Sequence, residues 1–337
     1  MVKRSSLKHQ IETVIKGIIA FGESKRDAKK DGTYLEKIYS YKTLRNTLSV
    51  CNDFARFCKS EFNIRSIYDF KIENYITYLK HKQIKTCSIG HLKNIESGLR
   101  KLQVAMKKQA EKYSKKPIIF CPEERIYKSS KYKSTPKDRS ISVEQAELII
   151  NNISSNDVRN ALKLQLYLGL RAKESVKLMP IHINLIKGEV NISNGKGITK
   201  GGRSRVIKIP KCFQLELEKM ITNLPANQPI IKTTEGYIRN SILKSGKLLG
   251  IKTSGCHMFR HTFARERFNF LLGDDADEGK VILQYMLKQR SMGKRAHNGI
   301  TKEYKNIHQK VRKAMNTVHS ELGHGKCRYS LAEVYLK

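Results

Sequence analysis

No two cysteines in this 337-residue chain have the C-x-x-C spacing of a zinc or redox motif, and the seven present are scattered from Cys51 to Cys327. They read as reduced thiols, so neither a zinc site nor a disulfide framework is expected. There is no run of about 18 apolar residues and no N-terminal apolar segment with a small-residue cleavage site, which leaves no membrane span or secretory leader to expect. A Walker A loop is missing, as is an acidic metal-binding pattern, so nucleotide-driven and metal-dependent chemistry have no visible support. Acidic residues are scarce: 30 Asp and Glu stand against 66 Lys and Arg, a net charge of +36.

That excess is spread along the chain rather than confined to a tail. With 39% hydrophobic residues the chain can still fold around a core and present a broad phosphate-binding field. Nucleic acid is the partner that fits. Charge alone does not separate DNA from RNA, or an enzyme from a ribosomal or chromatin-type binder.

Length favours two domains. Residues 1–32 read as a basic, partly helical arm with an apolar stripe at Ile11, Val14, Ile15, Ile18 and Ile19. Residues 33–112 read as a small helical bundle. One helix is marked by Leu44, Leu48, Cys51, Phe54, Ala55 and Cys58, and a second by Tyr75, Ile76 and Leu79. A third runs from Ile89 through Leu92, Ile95, Leu99, Leu102 and Met106, with Thr86 and Ser88 as candidate caps. Residues 113–139 lose the period, carry Pro117, Pro122 and Pro136 among many lysines, and read as an extended basic linker. Residues 140–337 read as a second, mainly helical domain. Ser142 caps its first helix, and an apolar helix ends near Gly169. INLIKGEVNISN and SRVIKIP form two antiparallel strands joined by the turn-rich GKGITKGGR. The expected fold class is thus mainly α, with one small antiparallel sheet.

Four separated motifs in the second domain carry chemistry. They are LGLRAKE around Arg171, TKGGRSR around Lys200, HMFRHTFA with His257 and Arg260, and LGH followed by EVYL, with His324 and Tyr335. Each alone is weak, since an arginine after an apolar helix or an H-x-x-R pair is common on surfaces. In this order, in a strongly basic chain, they resemble the tyrosine recombinase (phage integrase) family. Residues 140–337 are similar to its catalytic domain, and residues 43–108 to its helical core-binding domain.

The resemblance implies a metal- and cofactor-free transesterification through a 3′-phosphotyrosine. Planar guanidinium forks suit the two non-bridging oxygens of a pentacoordinate phosphorus, so Arg171 and Arg260 are the expected clamps. A phenol with its usual pKa of about 10 must lose its proton as it attacks, and His257 is the expected acceptor. His324 is expected to hydrogen-bond the phosphate. Lys200, with Lys196 as runner-up in the same turn, is expected to protonate the 5′-hydroxyl leaving group. Glu174 reads as structural, holding an arginine, and His261 as a supporting histidine.

The chain also departs from the family pattern. Tyr335 lies 75 residues beyond Arg260, where the family places its nucleophile sooner, so roughly forty residues are inserted, as in some integrases of integrating elements. Tyr304 in GITKEY competes for the same role. Tyr335 is preferred because it follows LGH, although their interval of eleven residues is long. Since Tyr335 stands near Lys337, subunits are expected to couple through the inserted segment or by exchanging the nucleophile segment. The expected partner is duplex DNA with specific recombination sites, bound by a homotetramer that is a monomer or weak oligomer when free. No membrane is involved, and the setting is cytoplasmic and nucleoid-associated. Integration or excision of a mobile element is the expected use. Chromosome-dimer resolution, a type IB topoisomerase and a non-catalytic regulator are the alternatives.

Overall fold

The protein was analysed as a computed structural model that describes residues 5–85, 88–128, 138–192 and 204–336. It divides into two compact units, Met1–Thr135 and Pro136–Lys337.

The first unit contains α1 (Leu7–Lys16), α2 (Lys25–Lys30), α3 (Tyr41–Phe62), α4 (Ile72–Ile84) and α5 (Ile89–Lys112). Serine side chains cap four of these helices: Ser6, Ser24, Ser40 and Ser88 each accept the backbone N–H three residues on, satisfying an otherwise orphaned donor. Thr86, the other candidate cap for α5, lies outside the described residues. The apolar stripes of α3, α4 and α5 meet around Phe54, Tyr75, Tyr78, Leu92, Leu99 and Leu102, all buried.

Two segments set apart in the sequence belong to this same core. In α1, Ile11, Val14 and Ile15 are buried in it, as is Ile18, and the chain beyond is fastened by Ile38, whose N–H donates to Ile18 (2.8 Å) and whose carbonyl accepts from Ala20 (2.9 Å). The residues read as the start of a linker bury Phe120, Cys121 and Tyr127. Their backbone donors are met by α5 side chains: Gln103 Oε1 accepts from Phe120 (2.9 Å) and Cys121 (2.6 Å), and the buried Glu96 accepts from Ile126 (2.9 Å) and Tyr127 (3.1 Å). The α1 stretch of the arm and residues 118–127 of the linker are therefore packed parts of the unit. The segment after α5 has no period because its partners lie on a helix, not on a ladder of its own.

The second unit contains α6 (Val143–Asn151), α7 (Asn156–Leu168), α8 (Ala172–Ser175), β1 (Ile183–Asn184), β2 (Glu189–Ile192), β3 (Arg205–Lys208), α9 (Lys211–Ile221), α10 (Glu235–Leu248), α11 (His257–Leu272), α12 (Ala276–Ser291), α13 (Lys305–Glu321) and α14 (Tyr329–Tyr335). Ser142 caps α6 in a reciprocal box with Gln145. The three strands form an antiparallel sheet in the order β1-β2-β3, with Val190 opposite both Ile183 and Ile207. Two strands were expected. INLIKGEVNISN is instead divided by a tight turn in which Asn184 Oδ1 accepts from Lys187 N–H (2.9 Å) and Gly188 takes a positive φ of 60°. One buried cluster joins α6, α7, the sheet, α9 and α10, and another joins α11 to α14.

If α1 and the segment after α5 are structural, then Ile11→Ala should lower unfolding free energy by about 2–4 kcal/mol and Phe120→Ala by about 3–5 kcal/mol. Urea denaturation of the full chain measures both; a free arm and linker would leave the transition unmoved.

Candidate active site

The site is assembled where α7, β3, α11 and the turn after α13 come together. Helix α7 stops at Gly169, in the left-handed region at φ 60°, where a Cβ would come within 2.4 Å of the Phe263 ring. Two residues later Arg171 is extended (φ −72°, ψ 153°) at the start of α8. Its backbone N–H (2.8 Å) and its Nη1 (2.7 Å) both donate to Glu174. Among the described residues nothing takes its Nη2, and the side chain remains 24% exposed.

Glu174 is fully buried and also accepts from Arg205, at 2.7 Å from Nη2 and 3.3 Å from Nη1. Burial alone would raise its carboxyl; the bonds and charges of Arg205 and Arg171 hold it below the usual carboxylate range. The Nε of Arg205 donates to the carbonyl of Glu321 at the end of α13 (2.7 Å), and the Glu321 carboxylate is gripped by Arg267 Nη2 (2.9 Å) and Nε (3.0 Å). Arg205 thus ties the loop of Arg171 to the turn that carries His324.

Arg260 makes the complementary tie. It is 1% exposed on α11, and its Nη1 donates to the Gly169 carbonyl and its Nη2 to the Leu322 carbonyl. Burial, with the Arg171 charge, lowers its pKa to about 10, which leaves it cationic at neutral pH. One side chain therefore draws together the backbone just ahead of Arg171 and just ahead of His324. Between Leu322 and His324, Gly323 turns at φ 67°, with Arg205 close against it. His324 N–H then closes the turn on the His319 carbonyl (2.7 Å).

Tyr335 ends α14 and is buried. Its ring lies 4.2 Å from that of His261, nearly parallel at 28°, and 5.2 Å from that of His324. Helix α14 packs on its own chain, since Ala332, Tyr335 and Leu336 share a core with Phe263, Leu272 and Leu283. His257 opens α11 one turn ahead of Arg260 and is exposed. Tyr304 is 40% exposed at the opposite end of α13 from Glu321, a helix of 17 residues and so roughly 25 Å long. Lys200 and Lys196 lie outside the described residues.

Of the residues singled out by sequence, Arg171, Arg260, His324 and Tyr335 are brought together. Glu174 and His261 stand beside them, and Tyr304 is remote. Arg205 was missed, although a signal for it exists: in RVIKI it shares strand parity with Ile207 and Ile209, which puts an arginine on the buried face. His319, on the apolar face of α13 with Val311, Met315 and Val318, was missed in the same way. Among the described residues no three His, Cys, Asp or Glu side chains are grouped to hold a metal ion, and no helix is long and apolar enough to cross a membrane.

Three histidines here are held neutral. Burial, followed by the charges of Arg260 and Arg171, pushes His324 down to about 3. Burial and neighbouring His257 bring His261 to about 4, and burial with Arg328 brings His319 to about 4. All fall below the ordinary value of 6.5, so on acidification the unfolded chain gains protons that the folded chain refuses. Stability is then complete above about pH 6.5 and declines as the pH falls towards about 4. Melts from about pH 7.5 to about pH 5, a range above most carboxylate titration, should show Tm falling, and more shallowly in His319→Leu. A flat Tm over that range would contradict the three buried neutral rings.

No family profile and no curated protein matches the sequence. Similarity appears at the level of structure. A lambda integrase tetramer bound to a Holliday junction matches with TM-score 0.56 at 14% identity, over 96% of this chain and 79% of that one. The XerH recombinase in a post-cleavage complex with its palindromic difH substrate matches with TM-score 0.55 at 16% identity, over 98% and 90%. The Tn1549 transposon integrase with circular-intermediate DNA matches with TM-score 0.52 at 13% identity, over 99% and 96%. A mainly helical chain with a three-stranded antiparallel sheet, aligned over nearly its whole length with these proteins, has the tyrosine recombinase fold.

Proposed function

We propose that this protein is a site-specific DNA recombinase that cleaves and rejoins duplex DNA through a 3′-phosphotyrosine on Tyr335. The observation that carries this reading is the convergence built by Arg260, whose two carbonyl bonds bring Arg171 and His324 to one place while the Tyr335 ring rests against His324 and His261.

In the reaction we assign, the phenol oxygen of Tyr335 attacks the scissile phosphorus and the bond to the 5′-oxygen breaks. The phenolic proton passes to His257, and Lys200 gives a proton to the departing 5′-oxygen, which leaves as a hydroxyl. Arg171 and Arg260 offset the charge on the non-bridging oxygens, with Arg171 Nη2 and Arg260 Nε both without a partner among the described residues. His324, kept neutral, donates to the same phosphate. His261 holds the tyrosine ring by stacking. Glu174 and Arg205 hold Arg171 in place without touching DNA.

The net charge of +36 supports a nucleic-acid partner, and both units are proposed to bind the duplex, the first as a core-binding domain. The DNA complexes of the lambda, XerH and Tn1549 proteins support the same substrate class, and the lambda tetramer supports a four-subunit assembly on DNA. Integration or excision of a mobile element is the use we assign, in keeping with two integrases among those three neighbours.

The test is trapping on nicked duplexes in EDTA, read on denaturing gels. Wild type and Tyr304→Phe are expected to form a protein–DNA adduct and Tyr335→Phe none. Arg171→Ala should slow adduct formation by ~10²–10³. Loss of the adduct with Tyr304→Phe alone would transfer the nucleophile to α13.

A further inference from the structure

His319 is fully buried on the inward face of α13, and neither of its ring nitrogens has a partner among the described residues. Held neutral by burial, an imidazole carries one donor and one acceptor, and a site that needed only to be filled would be served better by leucine. Immediately beside it, His324 has the matching deficit: its Nδ1 is buried and also without a partner among the described residues. The rings stand 6.0 Å apart, tilted by 59°, and the backbone already joins the two residues through the His324 N–H and the His319 carbonyl. A direct N–H···N bond of about 3 Å places imidazole centres roughly 5 Å apart, so a displacement of about an ångström closes the gap.

We propose that His319 is a positioning residue for His324, donating a ring N–H to its Nδ1 and so keeping the His324 proton on Nε2. The assignment rests on the recombinase reading of the site, in which Nε2 is the donor to the scissile phosphate. The chemistry follows from the tautomers. A neutral imidazole has a single N–H, and whichever nitrogen accepts a hydrogen bond leaves the proton on the other. Without a donor at Nδ1, the His324 proton can shift to that nitrogen and the phosphate loses its partner. The cations around the pair, Arg260, Arg171 and Arg205 near His324 and Arg328 near His319, all oppose a second proton on either ring, so the pair works as two neutral rings. A carboxylate facing Nδ1 would do the opposite, accepting from it and holding the proton there, so a neutral donor such as a second imidazole is what an Nε2–H tautomer requires.

Two measurements on the full chain test this. In long-range ¹H–¹⁵N spectra of histidine-labelled protein, with His324 assigned by its loss in His324→Gln, wild type should show His324 as the single Nε2–H tautomer. In His319→Leu it should become a mixture. A mixed tautomer in wild type, or an unchanged His324 in His319→Leu, would overturn the pairing. On a nicked-duplex library of randomised sequence, His319→Leu should form the adduct at least tenfold more slowly, with unchanged DNA affinity and a Tm no lower than wild type. His319→Gln, which keeps an N–H donor, should recover part of the rate. Equal rates for wild type and a folded His319→Leu would overturn the proposal. Should wild type itself form no adduct on any library member, the recombinase reading fails and the tautomer measurement alone decides the pairing. Should His319→Leu not fold, the Gln variant's rate and His324 tautomer decide it, and loss of both despite the retained donor overturns it.

Discussion

Everything at the candidate site hangs on where the Arg260 guanidinium is buried. A cation removed from water is costly unless its N–H groups are met, and here two of them are met by carbonyls that belong to different parts of the chain, Gly169 and Leu322. The guanidinium is thus a bracket as well as a charge. Its rigid fork holds two loops at a fixed separation, which a lysine with one ammonium could not reproduce. Gly169 is bound to this by shape: the carbonyl that Arg260 needs is presented by a left-handed residue, and a side chain there would meet Phe263 on the same helix as Arg260.

Around that bracket the charges are counted out unevenly. Four guanidinium groups stand here with two buried carboxylates: Arg171 and Arg205 pair with Glu174 and Arg267 with Glu321, while Arg260 pairs with neither. Arg205 and Arg267 are each neutralised by an ion pair, and Arg260 is spent on neutral carbonyls. The uncompensated charge therefore resides on Arg260 and on the exposed part of Arg171. That is the arrangement the proposed phosphodiester substrate would complete, and after burial it is what keeps His324 neutral: a further cation there would find no anion to face. Glu174 matters most to this balance, because it anchors Arg171 while neutralising Arg205, and its own ionisation depends on both.

Much of this was legible in the chain. Serine caps, apolar periods and the glycine that ends α7 are local signals, and they located the helices. Arg171, Arg260, His324 and Tyr335 stood out because they sit in short patterns whose order could be read. What escaped notice was non-local. Phe120 and Tyr127 can be buried because Gln103 and Glu96, on a helix earlier in the chain, accept their own N–H groups and those of their neighbours Cys121 and Ile126, and no pattern within residues 113–128 encodes that. Arg205 and His319 escaped for a related reason. Each is a polar residue on an apolar face, which looks like an interruption of the pattern until the residue it meets is known.

The long interval between Arg260 and Tyr335 acquires a physical meaning once α12 and α13 are placed. These helices are not an appendage. Ile282, Leu283 and Met286 of α12 and Val311, Met315 and Val318 of α13 lie in the one core that also holds Ala332, Tyr335 and Leu336. The residues between Arg260 and Tyr335 thus build the floor on which α14 rests. A tyrosine seven residues into a short helix would be poorly fixed by that helix alone, because isolated helices of this length are marginal. Packing against α11 and α12 supplies the order that the helix lacks, and the rings of His261 and His324 set the side chain.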